Sequence, residues 1–264
     1  MNDDIKQDNK LSKRIIEEKL SECGVSAKVF VHDVLDSTNA EAKRTAAGNT
    51  EPMLILAESQ TAGRGRLGRS FYSPDGTGLY MSFMYCPETD FSDSVTVTSA
   101  AAVAVVRAIE TLCGLEPKIK WVNDIYLNGK KICGILAEAV TGVPTHIIIG
   151  IGINITTGAF PEEIKTKASS IGMTLDRNLL AATVIKNLCE LINGLPQRTF
   201  LPEYREKSMV LGREVEFIKA GVSRFGRAVG VDKNGGLIVD TENGRVTLST
   251  GEISLKVIER GETS

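Results

Sequence analysis

With 264 residues and 31 basic side chains against 33 acidic ones, the chain is long enough for one large domain, or a large one and a small one, at a formal net charge of −2. That balance excludes a whole-molecule basic field that would draw it to nucleic acid or to a membrane. The five cysteines (Cys23, Cys86, Cys113, Cys133, Cys189) form no CxxC pair and have only His32 and His146 to help them, which argues against a structural metal site. Their odd number, and a polar start over 1–10 that is neither a signal nor a transit peptide, point to a reducing cytoplasm. The apolar windows around 100–106 and 147–155 are too short to span a bilayer, so no membrane partner is expected.

The first ten residues are expected to be disordered. Leu11, Ile15, Ile16 and Leu20 then recur at helical spacing, with Gly24 as a stop. This predicts one short helix, with no room before residue 28 for the second, recognition helix of a helix-turn-helix module. Residues 28–35 alternate as a strand. Asp36-Ser37-Thr38-Asn39 breaks that pattern ahead of a helix over 40–47. These short polar side chains suit an N-cap, the reading favoured on this segment alone, and they also suit a ligand at a strand-to-helix junction. A strand over 53–60, a polar loop over 61–75 and a strand over 78–86 follow, then turn and cap residues at 90–93 and a largely buried helix over 95–113 ended by Gly114. Short strands at 118–121 and 125–127 flank Asn123-Asp124, and Asn128-Gly129 marks a two-residue hairpin. Strands over 132–140 and 146–155 complete a mixed, largely antiparallel sheet in an α+β fold. The stretch 145–154 is expected to be a sheet edge able to pair with a second copy as a homodimer. Helices follow over 176–193, capped by Asp176 and stopped by Gly194, and over 200–209. From Gly212 onward, four short strands with Gly- and Asn-rich turns predict a small appended β-barrel. The organisation expected is an extension over 1–27, a main domain over 28–210 and a small domain over 211–264.

Between the second and third strands lies Gln60-Thr61-Ala62-Gly63-Arg64-Gly65-Arg66-Leu67-Gly68-Arg69. Glycines let a backbone approach a ligand closely, and arginines offer fixed forks of donors to phosphate or carboxylate oxygens. The spacing is neither that of a P-loop nor that of a dinucleotide fingerprint. The loop reads as an anion clamp, against the plainer reading of a solvated surface loop or a patch for RNA phosphates. Lys131 opens an otherwise apolar strand. Beside a reacting carboxylate it would neutralise charge and favour attack on a phosphate. Gly134 leaves space on the same strand, and Gly150-Ile151-Gly152-Ile153-Asn154 offers either a bend or a wall for a flat ligand. No Ser-His-Asp or Cys-His arrangement presents itself.

Taken in order, Asp36–Asn39, Gln60–Arg69, Ser73-Pro74, Lys120-Trp121-x-Asn123-Asp124, Lys131-x-x-Gly134-Ile135-Leu136-x-Glu138 and Gly150–Asn154 resemble the motifs of biotin protein ligases, from about residue 36 to the C-terminus. The resemblance implies a catalytic domain related to class II synthetases and lipoate ligases, with a C-terminal SH3-like barrel. It implies that ATP, with Mg²⁺, activates biotin to biotinyl-5′-AMP. The biotinyl group then passes to a lysine of the biotin carboxyl carrier domain of acetyl-CoA carboxylase or a related carboxylase. Carried over, Ser37, Thr38, Asn39, Gln60, Gly63, Arg64, Gly65, Arg66 and Lys131 would meet biotin. Arg66, Arg69, Trp121, Asn123 and Asn154 would meet the nucleotide. Lys131, Arg66 and Asp124 would carry the chemistry, with Asp124 the candidate base, and no residue is assigned as a metal ligand. The segment 63–69 would be mobile when empty and ordered over the adenylate. Val122 replaces a frequent proline and Phe71 a frequent tryptophan. With only one helix pattern ahead of Asp36, a ligase that does not bind DNA or repress transcription is expected. A lipoate-attaching enzyme and a nonenzymatic RNA-binding protein are the competing readings. The Arg-Gly loop disfavours the first, and the net charge disfavours the second.

Overall fold

The computed structural model describes residues 9–87, 94–142, 144–219, 221–249 and 255–257. The polar residues 1–8 and the turn expected at 90–93 lie outside them.

The main domain is a seven-stranded sheet in the order β1-β2-β3-β7-β6-β5-β4. Its strands are β1 (Lys28–Leu35), β2 (Met53–Gln60), β3 (Gly78–Tyr85), β4 (Lys118–Lys120), β5 (Asp124–Leu127), β6 (Lys130–Val140) and β7 (His146–Asn154). Only β1 and β2 pair in parallel, and all other neighbours are antiparallel. The α+β class and the largely antiparallel sheet are therefore as the sequence predicts. Strands β2, β3 and β7 read as near-continuous apolar runs because both their faces are covered. Helix α1 spans Lys13–Glu22, α2 Thr38–Thr45, α3 Ser94–Cys113, α4 Arg177–Asn193 and α5 Leu201–Glu206. Helices α1, α3 and α4 share the larger core with one face of the sheet. On the other face Ala42 of α2 and Ala46 at its C-cap pack on Met53, Ile55, Met84 and Ile148.

Local signals explain the element ends. Ser12 and Asp176 cap α1 and α4 through their side chains, and Gly194 closes α4. Asn128 and Gly129 both take positive φ (49° and 76°), as the tight hairpin between β5 and β6 requires.

Two expectations are corrected. The stretch 145–154 is not an edge: β7 lies between β3 and β6 and is paired along both sides, so it has no free backbone to offer a second chain. Its neighbour β3 is distant in sequence, which is why the hairpin pattern alone left that side open. The exclusion of a membrane span by length also fails. At 20 residues, α3 is long and apolar enough to cross a bilayer by length and composition. What accounts for it is burial: its small residues Ala100, Ala101, Ala102 and Ala104 are fully inaccessible in the core, as befits a central helix.

An ion pair buried at the start of α4 ties the N-terminal segment down. Arg177 Nη1 lies 2.7 Å from Glu58 Oε2 on β2 and also donates to the Gly78 carbonyl. Its Nε and Nη2 donate to the Asn9 carbonyl, while Leu11 N–H donates to Glu58 Oε1.

The C-terminal residues form a separate five-stranded antiparallel sheet, ordered β11-β10-β9-β8-β12. The strands are β8 (Glu214–Lys219), β9 (Val222–Val231), β10 (Leu237–Thr241), β11 (Gly244–Leu248) and β12 (Leu255–Val257), one more than the four predicted. The extra strand has three residues, too few for a pattern. The 232–236 turn docks this unit on the main domain. Asp232 Oδ1 accepts from Asn234 N–H and Gly236 N–H, and the carbonyls of Asn234 and Gly235 accept from Thr96 Oγ1 and Trp121 Nε1.

Candidate active site

A cavity of about 630 Å³ opens over the β5–β6–β7 side of the large sheet. Its floor is flat because Gly134 on β6 and Gly152 on β7 are register partners, with Gly150 one pleat away. The ring of Phe71 lies on this floor. A Cβ on Gly152 would come within 2.5 Å of it, and one on Gly134 within 3.2 Å. Only glycine permits so close an approach.

The Arg-Gly loop folds over the opening as a knuckle. Gly65 N–H donates to the Arg69 carbonyl and Arg69 N–H to that of Arg66, with Leu67 and Gly68 in left-handed conformations at the tip. This turns Arg66 inward, where Nη1 donates to Asn123 Oδ1 at 2.9 Å. Burial weakens its hold on the proton and Asp124 strengthens it, leaving it below the usual arginine value but still a cation. Asn123 in turn donates from Nδ2 to the Ile135 carbonyl, which ties the loop to β6.

Lys131 Nζ pairs with Asp124 Oδ1 at 2.6 Å. The Lys131 backbone also bonds to Lys167 and Ser169, so the segment around 160–169 forms a side wall. Lys120 stands 5.3 Å from the centre of the Tyr126 ring. Burial lowers its amine; Asp124 opposes that, and Lys131, Arg69 and Lys167 add to it. Burial pushes the Tyr126 phenol up to about 12, so the ring facing this amine stays neutral.

At the other end of the cavity, Thr38 N–H donates to Gln60 Oε1 at 2.9 Å, and Gln60 Nε2 donates to Ser73 Oγ at 2.8 Å. The favoured capping reading of 36–39 does not describe the side chains. Ser37 occupies the N-cap of α2 but makes no side-chain capping bond. Asp36 accepts from Ser37 N–H and pairs with Arg44, which holds its carboxyl well below the usual range. Asn39 turns sideways instead, to Glu138, and the Thr38 hydroxyl meets that of Ser82.

Of the residues singled out from sequence, Thr38, Gln60, Arg64, Gly65, Arg66, Arg69, Trp121, Asn123, Asp124, Lys131 and Asn154 line this one cavity. Ser37 and Asn39 are buried behind its wall, and Gly63 is packed against Phe71, Ser73 and Gln60. Trp121 is 5% exposed, with its N–H spent on the Gly235 carbonyl. Asn154 donates from Nδ2 to the Ser169 carbonyl, while its buried Oδ1 has no partner. Sequence reasoning missed Lys120, Tyr126, Glu163 and Lys167 as lining residues. Lys120 stood inside a recognised motif and could have been found. Lys167 lies in an unpatterned polar stretch that carried no signal.

Six cationic side chains thus line the cavity, Arg64, Arg66, Arg69, Lys120, Lys131 and Lys167, against two acids, Asp124 and Glu163. Such a lining suits a ligand bearing several negative charges beside a flat apolar part. Among the described residues no group of three or more His, Cys, Asp or Glu side chains could cage a metal ion.

Residues 31–154 match the Biotin/lipoate A/B protein ligase family, and residues 210–256 match the biotin protein ligase C terminal domain. The bifunctional ligase/repressor BirA of Bacillus subtilis is 34% identical over 265 residues, covering 95% of this chain and 81% of that protein. The biotin–[acetyl-CoA-carboxylase] ligase of Mycobacterium tuberculosis is 29% identical over 232 residues, covering 82% and 85%. Among solved structures, the biotin protein ligase from Aquifex aeolicus in complex with biotin and ATP aligns with a TM-score of 0.77 at 30% identity, covering 87% of this chain and 99% of that one. A cation-lined cavity with a glycine floor, two matching domain models and a relative this similar along nearly the whole length agree: the chain belongs to the biotin protein ligase family.

Proposed function

We propose that this ligase activates biotin as biotinyl-5′-AMP and transfers it to one lysine of the biotin carboxyl carrier domain of a carboxylase, acetyl-CoA carboxylase or a related one, in the cytoplasm. The observation that carries the reading is the single cavity into which the Thr38–Gln60 wall, the Arg-Gly loop, Lys131 and Asn154 all converge.

In the first step a biotin carboxylate oxygen attacks the α-phosphorus of ATP. The bond to the β-phosphate bridging oxygen breaks, and pyrophosphate leaves. Two anions must meet, and Lys131, Arg66 and Arg69 offset their repulsion as charge builds in the transition state. Thr38 and Gln60 hold biotin, supported from behind by Ser37, Asn39 and Gly63, with Arg64 and Gly65 closing over it. Trp121, Asn123 and Asn154 take the nucleotide, and the unpartnered Asn154 Oδ1 suits the amino group of an adenine ring. Mg²⁺ would supply further charge neutralisation beside the two acids of the cavity, Asp124 and Glu163. In the second step the carrier amine attacks the acyl carbon of the anhydride and AMP leaves. Asp124, a carboxylate in the same cavity, would take the amine's proton. Closure of the 63–69 knuckle excludes water from the anhydride.

We propose that α1 reads no DNA. Among the described residues, α1 is the one helix ahead of β1, and it buries Ile16 and Leu20 in the main core, where no DNA can reach that face. Sequence-specific binding to operator DNA would contradict this. The division we propose is an extension over 1–27, a catalytic domain over 28–210 and a small domain over 211–264.

Pyrophosphate exchange into ATP, run with biotin and with lipoate, tests the ligase reading. Exchange with biotin alone is expected. Exchange with lipoate alone would move the assignment to a lipoate enzyme, and exchange with neither would overturn both.

A further inference from the structure

The carboxylate of Glu138 on β6 lies outside the cavity lining and has no part in the chemistry above. Its Oε1 pairs with Lys43 Nζ of α2 at 2.7 Å, and its Oε2 accepts from Asn39 Nδ2 at 2.9 Å. An ionised carboxylate can only accept. That settles which way round the Asn39 amide stands. Its nitrogen faces Glu138 and the Leu136 carbonyl, and its oxygen faces Ser82 Oγ at 2.6 Å. The amide oxygen cannot donate, so the single proton of Ser82 goes to it. The contact between the Ser82 and Thr38 hydroxyls at 2.8 Å then takes its proton from Thr38. Gln60 Oε1 is left to Thr38 N–H, and Gln60 Nε2 donates to Ser73 Oγ, whose hydroxyl donates to the Phe71 carbonyl at 3.0 Å. Ser82 is fully buried, and Thr38, Asn39 and Ser73 are each 4% exposed, so water cannot substitute for a misplaced proton along this chain.

We propose that Glu138 is a positioning residue that sets the donor and acceptor order of the cavity wall. By locking the Asn39 amide it orders the Ser82 and Thr38 hydroxyls in turn, beside a Gln60 amide held by the Thr38 N–H, and so the polarity offered to the cyclic urea of biotin. The inference rests on assigning the Thr38–Gln60 wall to biotin. A cyclic urea presents two N–H donors and one carbonyl acceptor in fixed directions. A wall with one amide reversed would leave buried polar groups unpaired on both sides. Gly150 belongs to the same device: a Cβ there would stand 2.1 Å from Asn39 Oδ1, so a side chain would displace the amide.

The test is biotin-dependent pyrophosphate exchange, with KM for biotin and KM for ATP measured separately on Glu138→Leu, Glu138→Gln and Lys43→Met. Glu138→Leu should raise the biotin KM at least tenfold, with the ATP KM and the kcat at saturating biotin unchanged. Glu138→Gln keeps an acceptor for Asn39 and should restore the biotin KM to within threefold of wild type. Lys43→Met removes the ion pair alone and should behave as wild type. An unchanged biotin KM in Glu138→Leu overturns the inference, as does a rise in Lys43→Met that matches it. Should Glu138→Leu not fold, Ser82→Ala breaks the chain one step further on and should show the same split, and an unchanged biotin KM there is equally decisive. A wild-type enzyme without biotin-dependent exchange would remove the ligase reading and this inference together, whereas normal wild-type exchange with unaffected variants removes the inference alone.

Discussion

Lys131 Nζ and Asp124 Oδ1 stand 2.6 Å apart on the two strands of one hairpin, and both side chains line the cavity. The pair keeps a cation in the cavity with its charge balanced. An incoming carboxylate or phosphate oxygen can then exchange for Asp124 without an isolated ammonium having been buried first.

Lys131→Ala should therefore lower biotin-dependent pyrophosphate exchange about 100- to 1,000-fold, the scale of losing one preorganised transition-state cation. The fold should survive, because the Asp124 side chain is a quarter exposed and can be hydrated once its partner is gone. Circular dichroism together with the exchange assay checks both halves. Near-normal exchange would remove Lys131 from the mechanism.

Arg66→Gly removes the bond from the loop to Asn123 Oδ1, and with it a tether between the knuckle and β6. The expected result is adenylate formation that continues with release into solution, read as free biotinyl-AMP and as biotin on lysines of an unrelated bystander protein. Tight retention of the adenylate would contradict the closing role of the loop.

Arg177→Met tests the buried clamp on the N-terminal segment. Breaking a buried pair from one side costs about 3–5 kcal/mol. In a chain of this size that is a fall in Tm on the order of 10 °C. Adding Glu58→Leu should not restore stability, because the Asn9 and Gly78 carbonyls and the Leu11 N–H all lose their partners as well. Recovery of the wild-type Tm in the double variant would show that the network contributes less than its burial implies.

Trp121→Phe keeps an aromatic ring in the core but leaves the Gly235 carbonyl without its donor, at a cost of about 1–3 kcal/mol. The 232–236 turn should loosen from the β4–β5 connection, seen as faster amide exchange at Gly235 and Gly236. Protection unchanged at those two residues would mean that the Asp232 and Thr96 contacts hold the turn unaided.

Much of this protein was legible before any coordinates. The alternation over 28–35 and the apolar run over 53–60 became β1 and β2 with the same bounds, Asn128-Gly129 became the β5–β6 turn, and Asp176 and Gly194 bound α4. These are signals of local chemistry, in which a cap, a turn or a period acts over a few residues and needs no knowledge of the rest of the fold. The order of the motif residues likewise pointed to an anion clamp facing a lysine.

What only the tertiary structure decided was partnership. Strand β7 proved to be central because β3 closes its second side, a choice made by which faces can be buried together and not by the strand's own residues. Asn39, expected at the ligand, turns to Glu138, 99 residues away, and Trp121 spends its N–H on Gly235, 114 residues away. The anion clamp was readable because it is a run of neighbouring residues. The proton order of the wall behind it was not, because the bonds from Glu138 through Asn39 and Ser82 to Thr38 join strands and a helix that only the folded sheet brings together.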